Sequence, residues 1–400
     1  MKRILNTYAL KVVSVLFLGG LLFSLSSCNN TSSEKNKLKR NILFYIATDD
    51  SKSSIDGDVL NKINQMRVGW KPGQGELLIY ADRRGQRASL FRVNDKLGSD
   101  GLYGLDTLTF VPISENSADP AVLAHVINEM KVNYSADSYG MIFFSHASGW
   151  LPKGMLNSSR SLVIDNGEGG ANEEMEYSEF AAAIPDKQFD FIIFEACLMA
   201  DVVAMYELRD KADYILASSA EIVSPGFEYI YKNAIMTLFN QSLSIDVCLK
   251  NFGQAYYDFF TAQSNVNMRS ATISLVKMDE MENLAAVTKA ALQGNDVNED
   301  NLEISDIQIY DRPRAFGASY ARYFDLGHAI ESLSSESYYN KFEDQLNKTV
   351  IWKAATKSFL INQSGFEINH HSGLTTYIKR NAYPVINSEF EESAWYKAIQ

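Results

Sequence analysis

Five short runs of the chain are apolar with no polar–apolar alternation: 41–47 (NILFYIA), 76–81 (ELLIYA), 140–144 (GMIFF), 189–194 (FDFIIF) and 214–218 (YILAS). A strand with one wet face alternates, and a strand covered on both faces does not. Between the runs the spacing turns helical. Asp119 and Pro120 read as the N-cap and first residue of a helix whose apolar face is Val122, Val126, Ile127 and Met130. Further helices are predicted around 178–184 and over about 199–209. This alternation predicts a parallel sheet flanked by helices. The second half continues in the same way, with helices at 230–239, 247–263 and 281–292, a strand at 271–278 and a late strand at 374–379. No internal repeat is present.

The first residues follow a different pattern. Lys2 and Arg3 precede an apolar stretch over 12–25, which stops at LSSC, residues 25–28. Positive charge, a short apolar run, small residues and a cysteine, in that order, are the marks of a bacterial lipoprotein signal. The run is short for a spanning helix of about 20 residues. Residues 1–27 are therefore expected to be removed, Cys28 to carry lipid, and the polar segment 28–40 to serve as a tether. Asn29-Asn30 offers no inner-membrane retention signal, which places the expected anchor in the outer membrane and leaves its facing open.

Composition narrows the partners. The 400 residues carry a formal net charge of −12, and loss of Lys2, Arg3 and Lys11 with the signal would lower it to −15. An acidic chain with no dense basic cluster after residue 40 is unsuited to phosphate backbones, so no nucleic-acid partner is expected. Cys28 aside, two cysteines remain, Cys197 and Cys248, too few for a disulfide framework. No CxxC or HExxH spacing suggests zinc.

Two apolar runs end in reactive side chains. The run at 140–144 leads into SHASGW with His146, and the run at 189–194 leads into EACLMA with Cys197. In open parallel sheets functional residues gather at the carboxyl ends of strands. The two residues are 51 positions apart, one strand–helix–strand crossover, so adjacent strand ends would bring them together. A thiol needs a base to become a strong nucleophile at neutral pH, and imidazole titrates in the right range. A helix start just after Cys197 would favour thiolate. Histidine about 50 residues before the nucleophile is the order found in caspase-like cysteine peptidases.

SHASGW at 145–150, FDFIIFEACLMADVVAMYEL at 189–208 and ADYILASSAEIVSPGFEY at 212–229 resemble the clostripain family of caspase-like peptidases. The resemblance implies a caspase-like α/β sandwich with a mostly parallel central sheet. It places a catalytic domain at 41–230 and a C-terminal α/β region packed on it at 231–400. It makes His146 the general base and Cys197 the nucleophile, with the backbone N–H groups of Ala147 and Cys197 holding the oxyanion. The family commonly has glycine where Ala147 stands and aspartate where Glu195 stands. Members cut after basic residues, so Glu195, helped by Glu221, is expected to meet an Arg or Lys side chain of a polypeptide substrate.

Related enzymes process themselves between the two catalytic residues, and Arg160, in the polar setting SSRS, is the expected cleavage point here. A monomer without a cofactor is expected. The acids over 165–179 could hold calcium weakly, although such a loop is more commonly just solvated. His125, Cys248 and the aromatic stretch 317–327 read as packing, and His328 as a helix start. His370-His371 lack thiol or carboxylate partners at ligand spacing. The alternative reading is an inactive caspase-like lipoprotein that binds peptide or glycan.

Overall fold

The uninterrupted apolar runs become the middle of one nine-stranded sheet. The computed structural model describes residues 39–49, 55–108, 114, 116–153, 163–165, 173–313 and 319–400. Cys28, the signal segment and Arg160 lie outside the described residues. In chain order the strands are β1 (Arg40–Ala47), β2 (Leu77–Asp82), β3 (Ser89–Leu97), β4 (Tyr103–Thr107), β5 (Ser138–Phe144), β6 (Val163–Asp165), β7 (Glu173–Met175), β8 (Phe189–Glu195), β9 (Ala212–Ala217), β10 (Thr272–Lys277), β11 (Phe324–Asp325), β12 (Val350–Ala355), β13 (Ser358–Phe359), β14 (Phe366–Glu367) and β15 (Thr375–Thr376). The order across the main sheet is β12-β10-β9-β8-β5-β1-β2-β3-β4. Pairings from β2 through β1, β5 and β8 to β9 are parallel. Both flanks, β3–β4 and β10–β12, are antiparallel.

The missing alternation has a physical cause, because each central strand feeds two cores. Leu43, Tyr45, Met141, Phe143, Ile192 and Phe194 pack on one face. Ile42, Phe44, Ile142, Phe144, Phe191 and Ile193 pack on the other. Helices Asp56–Gly69, Glu228–Phe239 and Ile245–Thr261 cover the second face. The first face carries helices Pro120–Asn133, Tyr177–Ala183, Val202–Glu207 and Met281–Leu292, together with the helices near the C-terminus. Burying one large apolar side chain contributes about 1.5–3 kcal/mol, so this double-sided packing holds the strand tips in place.

The mostly parallel sheet flanked by helices is the architecture expected from the sequence. Asp119 caps its helix as expected, accepting from the Ala121 N–H. Three elements differ. The strand expected at 271–278 joins the sheet, but antiparallel. The late strand at 374–379 shrinks to β15, which pairs with β11 in a two-stranded sheet and bridges Asp201 through Thr375. The helix expected from 199 starts at Val202, because the chain first makes a turn in which Leu198 takes a φ of 62°. The β3–β4 hairpin was not foreseen. It lies at the edge, where its half-exposed, polar-rich sequence carries no continuous apolar signal.

Asp201 closes that turn. Its carboxylate accepts from the Val203 N–H at 2.8 Å and the Thr375 hydroxyl at 3.1 Å. Burial, only partly offset by these bonds, pushes its pKa from 3.8 up to about 7. The folded chain therefore binds a proton that the unfolded chain has released. The resulting stability is full below about pH 4 and is lost as pH rises through about 7. Asp201→Asn lacks this titration. In urea unfolding, the stability of wild type relative to the variant should fall by about 2 kcal/mol between pH 5 and pH 7. A difference that does not change with pH would show that Asp201 folds as the anion.

Candidate active site

His146 and Cys197 stand at equivalent points of neighbouring strands. Phe144 of β5 pairs with Glu195 of β8, and each reactive residue lies two positions beyond its member of that pair. All residues from 141 to 151 are buried except His146, and all from 191 to 206 except Cys197. Both side chains line one cavity of about 70 Å3, with Ile55, Asp58, Lys62, Phe144, Ser145, Glu195, Ala196, Ile222, Ser224, Pro225 and Gly226. The cavity lies at the carboxyl ends of the adjacent parallel strands β5 and β8.

The local sequence explains the approach of the two loops. Gly149 has a φ of 58°, and a Cβ there would lie 2.7 Å from the Leu198 carbonyl oxygen. The histidine loop can rest on the cysteine turn only with glycine at this position. Ala147 is not among the residues with positive φ, so alanine after the histidine is unstrained. The turn is tied to the loop after β9 by Leu198 N–H to Ala220 O at 3.0 Å and Ala200 N–H to Ser218 O at 2.9 Å. The Tyr323 hydroxyl donates to the Ser148 carbonyl, and Trp150 is buried against Tyr377 and Phe390. The Ile222 N–H points at Cys197 Sγ at 3.4 Å. The helix after Cys197 has six residues and starts five positions on, so the dipole contribution expected at the thiol is weak.

The two acids expected to meet a basic substrate each hold a cation of this chain. Glu195 lies in the cavity wall, with its side chain fully buried, and its Oε1 is 2.6 Å from Lys62 Nζ. It also accepts from the Phe227 N–H at 2.7 Å and the Tyr231 hydroxyl at 2.5 Å. Burial and then the Glu195 charge raise the Tyr231 pKa well above 10, so its hydroxyl keeps its proton. Glu221 is not part of the lining and takes a two-pronged bond from Arg312, at 3.1 and 2.6 Å.

Lys62 and Asp58 are the site residues that the sequence reading missed. A signal existed. In helix Asp56–Gly69 the buried positions are Val59, Lys62, Ile63, Met66 and Gly69. Lys62 thus falls on the apolar stripe, and a lysine there requires a buried partner.

The other histidines stay apart from this cavity. His328 opens its helix as expected, with Asp325 accepting from its N–H, and its ring stacks on His370 at 3.7 Å. Burial lowers the His371 pKa to about 3, which keeps that ring neutral. Among the described residues no three His, Cys, Asp or Glu side chains group as a metal site.

A model of the clostripain family matches residues 44–400. Clostripain of Hathewaya histolytica is 28% identical over 225 residues, which are 50% of this chain and 42% of that protein. The chain thus spans less than half the length of that curated relative. The solved structure of an inactive zymogen C11 protease from Parabacteroides distasonis superposes with a TM-score of 0.75 at 28% identity, covering 90% of this chain and 98% of the other. A secreted C11 cysteine protease from Bacteroides thetaiotaomicron, solved with an irreversible peptide inhibitor, gives 0.73 at 26% identity, covering 90% and 99%. With its family-defining blocks at the two strand tips and the match running through to the last residue, the chain belongs to the clostripain family.

Proposed function

We propose that the protein is a cysteine endopeptidase anchored in the bacterial cell envelope, with Cys197 as nucleophile and His146 as general base. The His146 imidazole takes the thiol proton, and the thiolate attacks the carbonyl carbon of a peptide bond. The negative charge that develops on the carbonyl oxygen is held by the backbone N–H groups of Cys197 and Ala147. As the C–N bond breaks, imidazolium gives its proton to the leaving amine, and a thioester remains on Cys197. Water, deprotonated by His146, then opens the thioester to a carboxylic acid and the free thiol.

The observation that supports this reading is the common two-residue overhang of His146 and Cys197 beyond the register pair Phe144–Glu195, with both side chains on one cavity. The test is hydrolysis of an unbiased peptide library by the wild type and its loss in Cys197→Ala. Selection of a basic substrate side chain, which the resemblance implies, needs a carboxylate free to meet it. Glu195 and Glu221 are each engaged by a cation of the chain.

The envelope anchor rests on the sequence alone. Lipidation of Cys28 should send the full-length protein to the membrane pellet, and Cys28→Ser should release it to the soluble fraction. Equal partitioning of the two proteins would refute the anchor.

A further inference from the structure

Glu195 lies in the wall of the cavity, and both of its carboxylate oxygens are engaged. Oε1 receives Lys62 Nζ at 2.6 Å and the Phe227 N–H at 2.7 Å, and Oε2 receives the Tyr231 hydroxyl. Lys62 Nζ also donates to the Pro225 carbonyl at 2.8 Å and lies 4.6 Å from the Phe144 ring centre. Side-chain exposure is 1% for Lys62 and 0% for Glu195. The backbone seals the pair, since a Cβ on Gly226 would come 2.4 Å from Glu195 Oε1 and 3.3 Å from Lys62 Nζ.

We propose that Lys62 occupies the place on Glu195 that a basic substrate side chain would take, so that the pocket selects an uncharged residue before the scissile bond (P1). This rests on the peptidase reading above. A basic P1 side chain directed at Glu195 would meet a carboxylate already paired with the Lys62 ammonium. Lys62 cannot move aside cheaply, because it sits on the buried stripe between Val59, Ile63 and Met66, and its departure would leave a buried carboxylate unpaired. Among the described residues the other acid of the lining is Asp58, half-buried in the first turn of its helix and accepting from the Ser224 hydroxyl at 3.0 Å. A partly solvated charge of this kind discriminates weakly. The rest of the lining suits an uncharged side chain. Phe144, Ala196 and Ile222 are apolar, and the buried Ser145 hydroxyl has no hydrogen-bond partner among the described residues. Arg160 becomes a poor self-cleavage point on this reading.

The test uses the full-length protein and matched fluorogenic peptides that differ only in P1: Lys, Arg, Ala or Leu. Wild type should cleave the Lys and Arg peptides no faster than the Ala and Leu peptides. Lys62→Met uncovers Glu195, and its kcat/KM ratio for Lys over Ala should rise by about 10²-fold or more, because an unpaired buried acid then rejects the uncharged side chain. A wild-type preference for Lys or Arg above about tenfold overturns the proposal. So does such a preference abolished by Asp58→Asn, or a ratio that Lys62→Met leaves unchanged.

A second measurement needs no turnover. The melting temperature of Lys62→Met should rise with added n-butylammonium, while those of wild type and of Lys62→Met/Glu195→Gln should not. The double variant removes both charges of this pair and so reports whether the response needs the uncovered carboxylate. Absence of any n-butylammonium response in a folded Lys62→Met overturns the proposal, whether or not Cys197 proves to be the nucleophile.

Discussion

Cys197→Ala should lower peptide hydrolysis by about 10⁴-fold or more, while the fold stays intact. A nucleophile and its base act as a unit, so removing one removes nearly all the catalysis that depends on both. The structural cost is small. Cys197 is half-exposed at a turn, and the bond to its sulfur from the Ile222 N–H, at 3.4 Å, is long. Loss of a bond of this kind costs about 1 kcal/mol or less. Turnover and urea unfolding, measured on the same preparation, separate the two effects. Activity retained within tenfold would remove Cys197 from the chemistry.

Glu195→Ala should behave in the opposite way and destabilise the fold by about 3–5 kcal/mol. Removing one partner of a buried ion pair leaves the other charge uncompensated in a medium that solvates it poorly. Here the orphan is Lys62, and the Phe227 N–H and Tyr231 hydroxyl lose their acceptor as well. Replacing both charges, as in Lys62→Met/Glu195→Gln, should recover most of the loss, since a pair exchanged for well-packed neutral groups is often neutral in stability. The exposed pair Lys397–Glu392 provides the contrast, and Glu392→Ala should leave unfolding unchanged. Urea unfolding of the four proteins is the check. A Glu195→Ala variant as stable as wild type would mean that Lys62 finds water, and that the wall of the cavity is looser than the contacts indicate.

The sheet and the two reactive residues were legible because strong local signals carried them. Apolar runs without alternation have one common meaning, and each of the two here ends in a rare polar residue. Spacing alone brought His146 and Cys197 to neighbouring strand tips, where the structure also has them. The Glu195–Lys62 pair was not legible in the same way. Glu195 and Lys62 are 133 positions apart, and nothing near Glu195 announces its partner. The expectation that Glu195 meets a basic substrate side chain rests on the resemblance, whereas the periodicity of residues 56–69 places a lysine on the apolar stripe, where it requires a counter-charge. The partner of Glu221 was hidden for a similar reason, since Arg312 comes from a loop 91 positions away. The helix expected over about 199–209 spans only Val202–Glu207, because propensity cannot see a turn fixed by tertiary contacts: Leu198 with positive φ, the Gly149 approach and the Asp201 cap.

The central claim is that Cys197 is a nucleophile activated by His146. Its most direct test is alkylation by peptidyl chloromethyl ketones carrying Ala or Lys at P1, with the modified residue mapped by mass spectrometry. At least one reagent should place its adduct on Cys197 and leave the buried Cys248 untouched, and the rate should fall by about 10²-fold or more in His146→Ala. No adduct on Cys197 with either reagent, or equal rates with and without His146, would contradict the account.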